Sequence, residues 1–190
     1  MAEHVRQREE LAAEIESWGG DCVVVPEAFR GTEKVKPDPD LEAEWMGSLA
    51  RLSEPERPRL VVVTERVLEE KLPSPDWMRQ SLRRIAVGDT RDPLRLVEEL
   101  VEAGYQSVGT VTERGEVARR GGIVDVFSRQ AVFPVRMEWG GDRVESIREI
   151  DLHEQTGMGE LSSTALFFGQ LGEAPKTAGW PDYLGEGCLS

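Results

Sequence analysis

Seven arginines and six acids are interleaved between positions 112 and 148: Arg114, Arg119, Arg120, Arg129, Arg136, Arg143 and Arg148 against Glu113, Glu116, Asp125, Glu138, Asp142 and Glu145. This stretch carries +1, which leaves −14 for the rest of a 190-residue chain whose total is −13. Every base in it is arginine. A guanidinium is planar, permanently charged and able to grip a carboxylate through two parallel hydrogen bonds, which is why arginine is enriched at protein interfaces and lysine is not. An arginine-rich sheet in an otherwise acidic chain reads as a protein-docking face. The plainer reading is a set of cross-strand ion pairs, each contributing about 0.2–1 kcal/mol.

Strand alternation selects among these residues. Over 135–139, Val135, Met137 and Trp139 point one way, into a core, and Arg136 and Glu138 point the other, about 6–7 Å apart along the strand. The Gly121-Gly122 step reads as a bulge or bend that re-aims Arg120. Arg120, Arg136 and Glu138 are therefore the candidate contact residues, with Glu138 expected to hold Arg136 in place and to meet a basic group on the partner. A rigid sheet presenting them loses little entropy on binding.

Other chemistries lack their residues. The sequence has no G-x-x-x-x-G-K-[ST] loop to cradle a triphosphate, no G-x-G-x-x-G and no G-x-S-x-G. His4 and His153 stand far apart in charged surroundings, with no partner at metal-ligand or triad spacing. No catalytic residue, metal or cofactor is expected. Cys22 and Cys188 are 166 positions apart without a C-x-x-C, which reads as two reduced thiols in a cytoplasmic protein. A net charge of −13 repels nucleic acid and anionic membrane. No apolar run approaches the ~18 residues of a spanning helix, and the opening MAEHVRQREELAAEI has no apolar signal region.

The elements that must position the arginines follow from periodicity. Residues 3–18 read as a helix with Leu11, Ile15 and Trp18 on one face, stopped by Gly19-Gly20. Residues 22–25 read as a buried strand, and Asp40 as the cap of a helix bearing Leu41, Trp45, Leu49 and Leu52. Residues 60–63 read as a second strand, and Thr64 as the cap of a helix to Lys71 that Pro73-Ser74-Pro75 ends. That alternation predicts a parallel α/β sheet over 1–75. Beyond it, a strand over 82–87 is followed by a helix started by Asp92-Pro93, with Leu94, Val97, Leu100 and Val101 as its apolar face. Strands are then expected over 107–111, 116–120, 123–127, 135–139 and 143–150, the last two joined by a Gly140-Gly141-Asp142 turn. Short strands and short turns predict a mainly antiparallel α+β region. One further strand over 164–168 and a helical turn over 180–184 complete the reading.

The motifs G-E-V-A-R-R-G-G-I-V-D-V-F (115–127) and P-V-R-M-E-W-G-G-D-R-V-E-S-I-R (134–148), with Asp151 and Gln155-Thr156 downstream, resemble the bacterial transcription-repair coupling factor (Mfd). They are similar, less closely, to the excision-repair helicase subunit UvrB. The likeness is specific over about 60–156 and includes Gly88-Asp89, Gly104 and Tyr105. It implies a fold: a partial, degenerate RecA-like α/β region over 1–75, an inserted UvrB-like UvrA-interaction domain over 76–156, and a truncated return to the first region over 157–190. It implies a function: a non-enzymatic module that binds the protein UvrA in transcription-coupled nucleotide excision repair. Strong nucleic-acid binding by this chain alone is not expected, and RNA polymerase would be reached only through family regions that this sequence does not include. By residue type, Arg120, Arg136 and Glu138 match the family's UvrA contacts, and Arg119 and Trp139 belong to the same expected patch. Two departures stand out: Gly140 follows Trp139 where the family has a second aromatic, and Gln106-Ser107 replaces an arginine found in UvrB-like sequences. The competing reading is a fragment of a UvrB-like helicase that handles DNA or ATP; the missing phosphate loop and the acidic charge oppose it.

Overall fold

The computed structural model describes residues 10, 13–15, 17, 21–27, 38–54, 58, 60–152, 157–169, 174, 175 and 177–184. Of the helix expected over 3–18, the described positions are helical. Leu11, Trp18, the Gly19-Gly20 stop, His4, His153, Gln155-Thr156 and Cys188 lie outside the described residues. The chain divides into two compact units, residues 1–80 with 174–190, and residues 81–173.

The first unit contains β1 (Cys22–Val24), α1 (Pro39–Ser53), β2 (Leu60–Val62), α2 (Glu65–Leu68), α3 (Pro75–Ser81) and α5 (Trp180–Leu184). The strands β1 and β2 pair in parallel, as the alternation of elements requires, with Cys22 opposite Leu60 and Val24 opposite Val62. Helix α1 starts earlier than expected. Its cap is Asp38, whose carboxylate accepts the Asp40 N–H at 3.0 Å, and Pro39 fills the first turn, where no amide is needed. Trp45, Leu49 and Leu52 are buried as predicted, joined by Met46, while Leu41 is only partly covered. Thr64 is the N-cap of α2 as expected, its carbonyl accepting the Val67 N–H at 3.0 Å, but its side chain makes no capping bond; the hydroxyl donates to Glu27 Oε1 instead. The prolines expected to end this region also begin the next element. Pro75 opens α3, and Ser74 Oγ accepts the Trp77 N–H at 3.2 Å. Trp180 Nε1 donates to Val67 O and the Tyr183 hydroxyl to Pro73 O, both at 2.8 Å, which ties α5 into this unit.

The second unit contains β3 (Leu82–Ala86), α4 (Pro93–Glu102), β4 (Gln106–Ser107), β5 (Glu116–Arg120), β6 (Ile123–Phe127), β7 (Val135–Gly140), β8 (Arg143–Ile150), β9 (Gly157–Glu160) and β10 (Ser163–Phe167). Six strands form one sheet in the order β4-β5-β6-β7-β8-β9, antiparallel except for the parallel β4–β5 pair; β3 and β10 form a separate antiparallel ribbon. Asp92 caps α4, accepting the Leu94 N–H at 2.8 Å, with Pro93 at the first helical position. The buried side of α4 is Leu96 and Leu100, whereas Leu94 and Val101 are exposed. Of the four residues expected on its apolar face, Leu100 is buried and Val97 packs against the core, while Leu94 and Val101 point outward and Leu96 takes their place. Leu96 and Leu100 pack with Val117, Val124, Val126, Met137, Val144 and Ile147 from the sheet and with Ile85 and Leu166 from the ribbon. Tyr105 joins the two layers. Its hydroxyl donates to Phe167 O at 2.8 Å and meets Ser128 Oγ at 3.1 Å, and the Phe167 N–H donates to that same Oγ at 2.9 Å. Strand β9, rich in glycine and without alternation, carried no sequence signal. No described helix is long and apolar enough to cross a membrane.

Candidate protein-docking face

Helix α4 and the core cover one face of the six-stranded sheet. On the other face, register sets up two rows of side chains. Ala118, Asp125, Arg136, Arg148 and Glu160 lie side by side across β5 to β9, and Arg120, Ile123, Glu138 and Ser146 form the next row. At the Phe127 end this face carries a small apolar cluster of Val111, Ala118 and Phe127, with Val108 and Leu152 against it. The charged residues occupy the rest.

Asp125 organises the first row. It is 2% exposed, and both its oxygens are engaged. Oδ1 accepts Arg136 Nε–H at 2.7 Å, while Oδ2 accepts Arg136 Nη2–H at 2.8 Å and Arg120 Nη2–H at 2.9 Å. One carboxylate thus grips Arg136 in bidentate fashion and Arg120 by one arm. The hydrogen bonds to Asp125 push the Arg136 pKa above its ordinary value, outweighing partial burial. The Arg136 side chain is 19% exposed and that of Arg120 is 53% exposed. In the second row, Glu138 is bound through Oε1 to Arg148 and through Oε2 to the Ser146 hydroxyl at 3.0 Å.

This geometry changes the roles expected from the sequence. Glu138 does not hold Arg136; Asp125 does, because it is the direct cross-strand neighbour of Arg136 on β6. Glu138, two places along β7, is taken up by β8 instead. The Gly121-Gly122 step is a two-residue turn rather than a bulge: Arg120 pairs with Ile123 across it, and Gly121 has a φ of +61°, open to glycine without strain. Gly122 is required for a different reason. Its carbonyl accepts the Trp139 N–H at 2.8 Å, and a β-carbon there would come within 2.9 Å of the Trp139 carbonyl oxygen. The irregularity lies between Glu138 and Trp139, where the β7–β8 register shifts.

The sheet brings together Arg120, Arg136 and Glu138, and adds Arg148 and Asp125, which the sequence reading had not chosen. It does not bring in the other two. Arg119 alternates to the opposite face of β5, in register with the core residue Val124. Trp139 is 8% exposed, packs with Met137 and Val144, and donates its indole N–H to Arg91 O at 2.8 Å. At Gly140 the Glu145 carboxylate occupies the space that a β-carbon would enter. Gln106 and Ser107 are the exposed edge strand β4. Asp125 was the detectable omission, since a carboxylate inside the apolar run I-V-D-V-F must have a partner.

Elsewhere the described residues include no group of three or more His, Cys, Asp or Glu side chains placed to hold a metal. A depression in the first unit is lined by Ser74, Asp76, Arg79 and Asp182, with Arg79 paired to Asp76 and Ser74 Oγ occupied by the Trp77 N–H.

Comparison with known proteins adds a family. Residues 84–169 match the model of the UvrB interaction domain. The chain is 32% identical over 164 residues, 82% of its length, to a transcription-repair-coupling factor of Mycobacterium bovis, of which it covers 13%. It is 35% identical over 70% of its length to that of Myxococcus xanthus and 33% identical over 66% to that of Bacillus subtilis, covering 11% and 10% of them. It therefore spans about an eighth or less of the length of these relatives.

Proposed function

We propose, from the premise that this chain belongs over residues 84–169 to the UvrB interaction domain family, that it is a docking module of nucleotide excision repair whose partner is UvrA. The observation that carries the reading is the open sheet face. Three arginines stand there, held by two acids whose oxygens are already engaged, so this patch offers a partner guanidinium N–H donors, with the exposed Glu160 beside them at the β9 edge. An ion-paired arginine is also a pre-ordered one, and pre-ordering lowers the entropy lost on docking. The similarity to transcription-repair-coupling factors supports a role where repair is coupled to transcription, in the cytoplasm. The parallel β1–α1–β2 unit supports reading the first unit as part of a degenerate RecA-like domain. The docking role needs no catalytic residue in this chain.

Binding of purified UvrA to the parent chain and to Arg120→Ala, by calorimetry or pull-down, tests the reading. Arg120 is the informative site because its side chain is half exposed and supplies only one of the three hydrogen bonds to Asp125. Loss of an interfacial hot-spot arginine costs ~2–4 kcal/mol of binding, whereas losing one of the three hydrogen bonds to Asp125 from a half-exposed guanidinium costs on the order of 1 kcal/mol of stability. The expected result is binding weakened at least about tenfold with a melting temperature lowered by only a few degrees, since tenfold corresponds to ~1.4 kcal/mol. A parent chain that does not bind UvrA, or an Arg120→Ala variant that binds as well as the parent, would refute it.

A further inference from the structure

We infer that Asp125 is the positioning residue of the docking face: one buried carboxylate that sets Arg120 and Arg136 as a single fork and itself never touches the partner. This inference rests on the docking reading above and assigns to that site a residue outside the surface. Three observations lead to it. Asp125 is 2% exposed, so a partner cannot reach it. Its two oxygens accept three guanidinium N–H groups, at 2.7, 2.8 and 2.9 Å, leaving no strong acceptor position directed outward. Its arginine partners come from β5 and from β7, the strands on either side of β6, so the carboxylate sits at the centre of the fork.

The geometry assigns different parts to the two arginines. Arg136 spends Nε and Nη2 on Asp125, which fixes its guanidinium plane and leaves Nη1 without a bond among the described residues. Arg120 spends only Nη2, which leaves Nε and Nη1 unbonded among the described residues. Without the carboxylate, two guanidinium groups drawn to the same spot would repel each other and each would regain its rotamers. That entropy would then be lost again at docking. A long flexible side chain becomes a defined donor only because a short buried one restrains it.

A charge-only role and a purely structural role make different predictions, so the test uses Asp125→Asn, which keeps the shape and removes the charge. UvrA affinity is measured for the parent, Asp125→Asn, Arg120→Ala and the double variant. Asp125→Asn is expected to weaken binding by about tenfold or more, although the residue is out of the partner's reach. The double variant is expected to lose clearly less than the product of the two single losses, because both changes disable one fork. In the unbound chain, the Arg136 Nε–H resonance is expected to lose its protection from solvent exchange in Asp125→Asn while the β6 and β7 amides keep theirs. Parent-like affinity in Asp125→Asn overturns the inference, and so does a double variant whose loss equals the full product. Should Asp125→Asn fail to fold, Asp125→Glu keeps the charge and shifts it by one methylene; parent-like affinity there would overturn the inference equally. Failure of the parent to bind UvrA is a separate result, which removes the docking reading itself.

Discussion

Arg136→Ala perturbs the fold in a way that its place on the proposed docking surface conceals. Strand alternation puts the side chain on the face away from the core, which predicts a harmless truncation. The structure predicts otherwise. Arg136 supplies two of the three hydrogen bonds to a carboxylate that is 2% exposed. Removing it leaves Asp125 charged, buried and held by one arm of Arg120. Breaking a buried pair from one side costs ~3–5 kcal/mol; the 19% exposure of Arg136 and the remaining Arg120 bond reduce this to about 2–3 kcal/mol. In a unit of this size each kcal/mol moves the melting temperature by about 4–8 °C, so a fall of roughly 10–20 °C is expected by calorimetry. Arg120→Ala, at a half-exposed position, is expected to shift it by only a few degrees, within the ~0–1 kcal/mol of a surface pair. Replacing both Asp125 and Arg136 by leucine is expected to recover most of the loss, because no charge is then stranded. The reasoning fails if Arg136→Ala melts within about 2 °C of the parent, or if the double leucine variant is no more stable than Arg136→Ala. The practical consequence is that weak UvrA binding by Arg136→Ala is interpretable only well below its own melting temperature.

Two further outcomes follow from the second unit. Tyr105→Phe removes the hydroxyl that donates to Phe167 O and strands part of a buried polar knot with Ser128; a loss of about 1–2 kcal/mol in urea unfolding is expected, with faster amide exchange in β10, and an unchanged midpoint would show that the knot does not tie the ribbon to the sheet. Glu116 is pushed up by partial burial, but the N–H groups of Thr112 and Glu113 and the Thr112 hydroxyl outweigh that and hold its carboxyl below the ordinary 4.5. A depressed acid stabilises the fold above its unfolded value and loses that contribution as pH falls through the folded one; protection of the Thr112 and Glu113 amides should therefore decline below pH 4.5, and Glu116→Gln should flatten that decline, whereas identical acid profiles would contradict the assignment.

The sequence made the strands of the sheet legible because their physics is local. Alternation in V-R-M-E-W, the Asp92-Pro93 helix start and the glycine turns each depend on a few neighbouring residues, and β5, β6, β7, β8 and α4 appear where those patterns put them. Elements lacking such patterns did not show. Strand β9, with its Gly-Met-Gly-Glu sequence, is a strand only because β8 offers it an edge, and α3 was hidden by prolines that read equally well as a stop and as a start. Which of the residues expected on α4 the core takes, Val97 and Leu100 rather than Leu94 and Val101, likewise depends on the sheet beneath it.

The site divides along the same line. That Arg136 and Glu138 share a face is a property of one strand, and alternation gives it directly. Which acid holds which arginine is a property of three strands and their register, which no single-strand pattern contains. With Asp125 opposite Arg136 and Ser146 opposite Glu138, the pairing is Asp125–Arg136 and Glu138–Arg148. A slip of one residue would have moved every one of these side chains to the other face. Two sequence features fix that register. The Gly121-Gly122 turn sets β5 against β6, and Gly122 admits the close approach of Trp139 that sets β6 against β7. The irregular step opposite Glu138 and Trp139 leaves Glu145 as an extra residue on β8, so that Val144 and Ile147 both reach the core while Ser146 still faces Glu138. The apolar anchor and the glycines are thus as much a part of the proposed docking face as the arginines, because they set the register that assembles it.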